Sequence, residues 1–241
     1  MLVKKTSGFS ADRIKNDPKL ARVKENGQEF GGSVLIGKGI RKSIPQVVDE
    51  MSDGTMPNRM TKVCRAIVGK AKSGLRGQRP FQVLTFRDLL VNFPFDERNL
   101  LEDALLAPYT VAANAGRNQV TVTVPDFNTT ALVHAPAGAT HFRIVVACAV
   151  VSSYTYDAVN RVYVPSDVAS NGKSALTYSA YIPLGGNVGA VTTVVAAITP
   201  APTLAATSGL LTCVGIDFSQ LVAGNQYLMN GKTTMKVVNV F

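Results

Sequence analysis

The chain has 241 residues, with 25 Lys and Arg against 16 Asp and Glu, 46% hydrophobic residues, three cysteines and no tryptophan. A near-average hydrophobic fraction and a charged fraction of 17% argue against a disordered chain, and three cysteines do not make a disulfide framework. The length suffices for one large domain or two small ones with a real core.

The net charge of +9 is unevenly placed: residues 1–100 hold 19 basic and 10 acidic side chains, and residues 101–241 hold six of each. The excess is densest in Arg59, Lys62, Arg65, Lys70, Lys72, Arg76, Arg79 and Arg87, a run with no acid inside it. The second half is rich in Val and Thr, which are stiff at χ1 and suit pleated surfaces. A composition break over residues 107–118 therefore predicts two regions: a basic, mostly helical region at 1–107 and a β domain at 108–241.

The first eight residues, Met1-Leu2-Val3-Lys4-Lys5-Thr6-Ser7-Gly8, carry two lysines but no following apolar stretch of the kind a leader needs. The apolar run at 144–151 is strand-length and too short to span a membrane. The expectation is a cytoplasmic chain with reduced thiols and no membrane span, with release by lysis or signal-independent export left open.

In chain order, Ser10 caps a helix from Ala11 with Asp12 in its first turn. Asp17-Pro18 restarts it, and Gly31-Gly32 breaks or bends it. Val34, Leu35, Ile36, Ile40 and Ile44 recur at helical spacing, with Gly37 and Gly39 permitting close approach. Pro45 opens a short helix to Met51, ended by the turn Asp53-Gly54. Asn58 caps the next helix, from Arg59 to about Lys72, with Met60, Val63, Cys64, Ile67 and Ala71 on one stripe. Loops at Ser73-Gly74 and Arg76-Gly77 precede a short strand or extended segment at 81–86. Asp96-Glu97 starts a last helix at 98–106.

Beyond the break, Val120, Val122 and Val124 alternate with polar residues as a half-buried strand. Further strands are predicted at 131–134, 141–154, 161–164, 174–182, 190–198, 210–218 and 233–241, with a hairpin turn at Asp157-Ala158-Val159-Asn160. Strands at this spacing predict an α+β chain: a helical basic region followed by an antiparallel β-sandwich, Ig-like or jelly-roll-like.

Catalytic signals are weak. His134 and His141 are the only histidines, with Asp126 nearby, and no CxxC, HxH or HExxH spacing exists. There is no G-x-S-x-G. Cys148 and Cys213 sit in apolar runs as core residues, and Cys64 fits its helix stripe beside Arg65. Gly69 and Gly74 have the glycine spacing of a phosphate loop, but Leu75-Arg76 replace its Lys and Ser/Thr. No enzyme activity, metal or cofactor is expected.

The run from Arg59 to Arg87 reads as a surface for a polyanion or an acidic partner, against the plainer reading of a solvated helix face. The low charge of residues 101–241 suits lateral packing against copies of the same chain.

The pattern Arg13-Ile14-Lys15-Asn16-Asp17-Pro18, Glu29-Phe30-Gly31-Gly32 and Gly37-Lys38-Gly39-Ile40-Arg41 carries a likeness. So do His141-Phe142-Arg143, Val214-Gly215-Ile216-Asp217-Phe218 and the closing Met235-Lys236-Val237-Val238-Asn239-Val240-Phe241. Through these scattered motifs the chain resembles a family of uncharacterised bacterial proteins of the Bacteroidota type. The resemblance implies a helical head and a β-rich tail and brings no catalytic residues. A basic helical arm joined to a sandwich is also similar, in layout alone, to small coat proteins. The function expected is a self-assembling structural subunit of a filament, tube or shell. The alternative is a nucleic-acid-binding module that uses the basic helices.

Overall fold

The computed structural model describes residues 10–229 and 232–241, so the basic start at Met1–Gly8 lies outside the described residues. The fold is α+β: a helical first half, then two antiparallel sheets and a two-stranded ribbon.

Ser10 caps α1 (Ala11–Asn16) by accepting the Arg13 backbone N–H at 3.3 Å. A 3-10 turn at Pro18–Leu20 leads into α2 (Ala21–Ser43). Gly31-Gly32 does not break α2, contrary to expectation. Tertiary packing overrides the low helix propensity of glycine there. A β-carbon at Gly32 would stand 2.2 Å from Tyr163 Cδ2, so only glycine lets helix and ring meet. The close approach expected at Gly37 and Gly39 is present, against Met60 and Thr61 and against the Tyr154 hydroxyl.

Pro45 opens α3 (Pro45–Met51), and α4 spans Met56–Lys70. Asn58 is not its cap. The helix starts earlier, because Asp53 accepts the Thr55 and Met56 N–H groups at 2.7 and 2.8 Å. The α4 stripe Met56, Met60, Cys64 and Ile67 is fully buried.

The segment at 81–86 is not a strand. Phe81 makes one bridge to Tyr154, and the chain then turns while Val83 enters the core. The helix expected at 98–106 shrinks to α5 (Leu101–Ala104), because Asp96 accepts the Arg98 N–H at 2.8 Å and holds that stretch as a turn.

The β half begins with β1 (Thr110–Ala113), a strand not among those expected, followed by β2 (Gln119–Val124). Residues 131–134 form no strand. Ala131 and Leu132 end a helical turn, α6 (Thr129–Leu132), which Asn128 caps through its side chain, and Val133 makes a single bridge to Leu105.

The long strand β3 (His141–Ser152) is followed by a ribbon of β4 (Tyr154–Asp157) and β5 (Val162–Pro165). Asp157 turns this ribbon by accepting the Val159 and Asn160 N–H groups at 2.8 and 3.1 Å. The stretch expected at 174–182 divides into β6 (Ser174–Tyr178) and β7 (Ile182–Pro183). β8 (Thr192–Ala197), β9 (Ser208–Val222) and β11 (Thr234–Val240) follow expectation, whereas β10 (Asn225–Leu228) is a further unexpected strand.

β3 and β9 pair over twelve residues, from His141↔Ser219 to Ser152↔Ser208. β10 and β11 continue the sheet beyond β9, and β6 and β7 continue it beyond β3. The second sheet is β1-β2-β8.

From Ile144 to Val151 β3 is buried on both faces, which explains the unbroken apolar run there. Phe142, Ile144, Val146 and Cys148 pack on Val120, Val122, Val194 and Ala196 of the second sheet. Val145, Ala147, Ala149 and Val151 pack with Ile36, Ile40, Met60, Cys64 and Ile67 of the helices. The molecule is thus three layers, helices, sheet and sheet, with two cores separated by β3 and β9.

Candidate interaction surfaces

The basic run splits into cations engaged within the chain and cations on the surface. Glu29, on α2, has no exposed surface. Arg79 donates to its two oxygens from Nε and Nη2, each at 2.7 Å. Arg65 pairs with it at 2.7 Å, and the Gly77 N–H donates at 2.9 Å. Burial pushes the Glu29 carboxyl up, but the hydrogen bonds from Arg79 and Gly77 and the charges of Arg79 and Arg65 outweigh that and hold it below its ordinary value. One buried carboxylate thereby ties together α2, α4 and the loop at 71–80.

Arg59 serves a second such centre. It donates to Asp53 at 3.0 Å and to the Pro94 and Phe95 carbonyls at 2.7 and 2.9 Å. Burial again opposes ionisation of Asp53. The N–H groups of Glu97 and Thr55, the Thr55 hydroxyl and the Arg59 charge hold its carboxyl well below the usual range. Arg76 lies 3.6 Å from Glu25 and is half-exposed. Lys62, Lys70, Lys72 and Arg87 are exposed, Arg87 also reaching the Val240 carbonyl at 3.4 Å. The acids that meet the run lie outside it, Glu25, Glu29 and Asp53 upstream and Glu97, 3.6 Å from Arg59, downstream, so the run itself gives no sign of them.

A cleft of about 630 Å³ opens between the start of α2, the loop at 71–80 and the β4–β5 ribbon. Four cations line it, Arg22, Lys24, Arg76 and Arg161, against one acid, Glu25. Arg22 and Arg161 lie outside the run that the sequence singles out. Arg161 is exposed and holds a left-handed backbone at φ 57° in the ribbon turn. Gln28, Gln78 and Tyr156 add polar atoms to the lining, with Gln28 Nε2 donating to the Tyr156 hydroxyl at 2.9 Å. The Glu29 centre lies beneath one wall and fixes it.

The β half presents apolar and uncharged surfaces of its own. β9 runs on past the end of β3 and returns as β10 around Ala223-Gly224, both at positive φ. This hairpin exposes Leu221 (43%), Val222 (47%), Tyr227 (57%) and Leu228 (49%). Leu221 and Leu228 share one face of the ribbon by register, and Val222 and Tyr227 share the other. On the outer face of the second sheet the register sets Thr110, Thr123 and Thr193 in one row and Ala112, Thr121 and Val195 in the next, with no charge among them.

The remaining candidates do not converge. The His134 Nδ1 lies 2.8 Å from the Asp103 carbonyl, the His141 Nδ1 lies 2.9 Å from the Thr140 hydroxyl, and Asp126 accepts the Gly189 N–H at 2.8 Å. Among the described residues no group of three His, Cys, Asp or Glu could hold a metal ion. All three cysteines are free and buried. Burial pushes the thiols of Cys64 and Cys148 up to about 12 and about 11, and that of Cys213 higher than its ordinary value. No helix of the described residues is long and apolar enough to cross a membrane. Comparison with protein-family models, with curated proteins and with solved structures gives no match for this chain.

Proposed function

We propose that this chain is a structural subunit that assembles with copies of itself head to tail. The observation that carries this reading is the β9–β10 hairpin, a two-stranded ribbon with large apolar side chains exposed on both faces. A lone hairpin is marginal in water, and apolar residues on both of its faces favour insertion between other surfaces.

A receiving surface exists on α2. Val23, Phe30 and Val34 fall at helical spacing and are exposed, Phe30 to 57%. The open glycines Gly27 and Gly31 lie between them. This stripe borders a groove of about 410 Å³ lined by Phe30, Asn58, Thr61, Lys62 and Arg65.

The hairpin and the stripe lie toward opposite ends of the β3–β9 ladder. The hairpin begins beside His141, whereas α2 meets, at Gly32, the ribbon that follows Ser152. Twelve paired residues at roughly 3.3 Å each separate those ends by about 40 Å. A hairpin therefore reaches the stripe of a neighbouring copy rather than its own. Such a heterologous contact propagates as a filament or closes as a ring. The uncharged outer face of the second sheet supplies a surface for lateral packing. Light scattering on the eluting protein with negative-stain microscopy tests the reading: extended or ring-shaped multimers are expected, and a monomer at the highest attainable concentration overturns it.

A further inference from the structure

We infer that the cleft between α2, the 71–80 loop and the β4–β5 ribbon binds a phosphate-bearing ligand, a free nucleotide or a strand of nucleic acid. Three observations lead there. The lining carries four cations and one acid, and Glu25 is already shared between Arg22 at 2.8 Å and Arg76 at 3.6 Å. A surplus of guanidinium groups in a concave site is the arrangement that pairs with phosphate oxygens, because each fork can donate twice. Arg161 makes no salt bridge among the described residues, and its left-handed backbone places it at the tip of the ribbon on the rim of the cleft.

The walls are also fixed in advance. Gly77 is packed so closely on α2 that a β-carbon there would lie 2.8 Å from Gln28 Oε1, and its N–H is held by the buried Glu29. Arg79 locks the same loop by donating to the Gly69 carbonyl at 2.7 Å as well as to Glu29. A preformed cleft spends less binding free energy on ordering. Its volume of about 630 Å³ exceeds what a bare phosphate fills and leaves room for an attached sugar and base. Gln28, Gln78 and the Tyr156 ring supply polar and aromatic contacts for that remainder.

The test uses the full chain with three probes: a nucleoside diphosphate followed by calorimetry, a labelled ten-nucleotide oligo-dT followed by anisotropy, and polyglutamate as a non-phosphate polyanion. Arg161→Asn removes the charge while keeping a residue that tolerates the left-handed backbone, and Arg76→Gln removes the second fork. Each should weaken the phosphate probe that binds by on the order of tenfold. For the oligonucleotide, each should also reduce the slope of log affinity against log salt by about 0.7 per lost contact. Lys173→Gln, exposed and outside both the cleft and the basic run, should leave affinity unchanged. Binding of the diphosphate supports a nucleotide site, and binding of the oligonucleotide alone supports a strand. The inference is overturned if neither phosphate probe binds, if polyglutamate binds more tightly than both, or if Arg161→Asn and Arg76→Gln match the parent chain.

Discussion

Gly32 and Tyr163 meet so closely that a single added methyl group would stand 2.2 Å from the ring. Gly32→Ala should therefore destabilise the fold by about 2 kcal/mol, overpacking outweighing a gain in helix propensity of roughly 1 kcal/mol. Gly27 and Gly31, on the same helix, have nothing within 4 Å of a β-carbon, so alanine there should stabilise by about 0.5–1 kcal/mol. Urea midpoints of the three variants check both signs. Stabilisation by Gly32→Ala would sink the packing account.

The same contact explains where the sequence was legible and where it was not. α1, α3, β2 and β3 follow local rules: a serine cap, a helix-opening proline, strict alternation and an unbroken apolar run. The α2 helix does not, because the ring that justifies Gly32 arrives 131 residues later. The segment at 81–86 alternates like a strand but has a partner only at Phe81, so it turns. The basic run is only partly legible for a related reason. Its neutralising acids, Glu29 and Asp53, are distant in sequence or outside the run, and only the fold shows that Arg59, Arg65 and Arg79 face inward to them. The hairpin was hidden because Gln220, Asn225 and Gln226 resemble loop residues and Ala223 is a poor turn signal.

Glu29→Gln should cost about 3 kcal/mol near neutral pH, since it leaves Arg65 and Arg79 without their shared counter-charge. The pH dependence has a definite sign. Glu29 and Asp53 both titrate below their ordinary values in the fold. Each favours the folded state above its unfolded pKa and loses that contribution as pH falls through its native one. The parent chain should lose stability on acidification below the ordinary glutamate value of 4.5, and the gap to Glu29→Gln should narrow there. Chemical denaturation at neutral and acid pH measures both. A gap that widens in acid would contradict the assignment.

Cys64, Cys148 and Cys213 are inaccessible, and burial raises all three thiols. A disulfide exchange reagent at pH 8 should report no reactive thiol in the native chain and three in denaturant. Fast labelling of a native thiol would show that one of the two cores opens readily.

Tyr227→Ser combined with Leu228→Ser tests the hairpin directly. Both side chains are about half exposed, so their loss should change the stability of the single chain by no more than about 0.5 kcal/mol. In an assembly they are buried, and aromatic anchors of that kind cost about 2 kcal/mol or more when truncated. The variant should therefore shift toward monomer while its thermal midpoint, measured under dissociating conditions, stays put. Phe30→Ser on α2 should do the same from the receiving side. Mixing the two variants adds a sharper arm. Head-to-tail contact leaves one intact hairpin and one intact stripe, so the mixture should form a heterodimer that stops there. A contact between two hairpins would instead leave Phe30→Ser fully assembled.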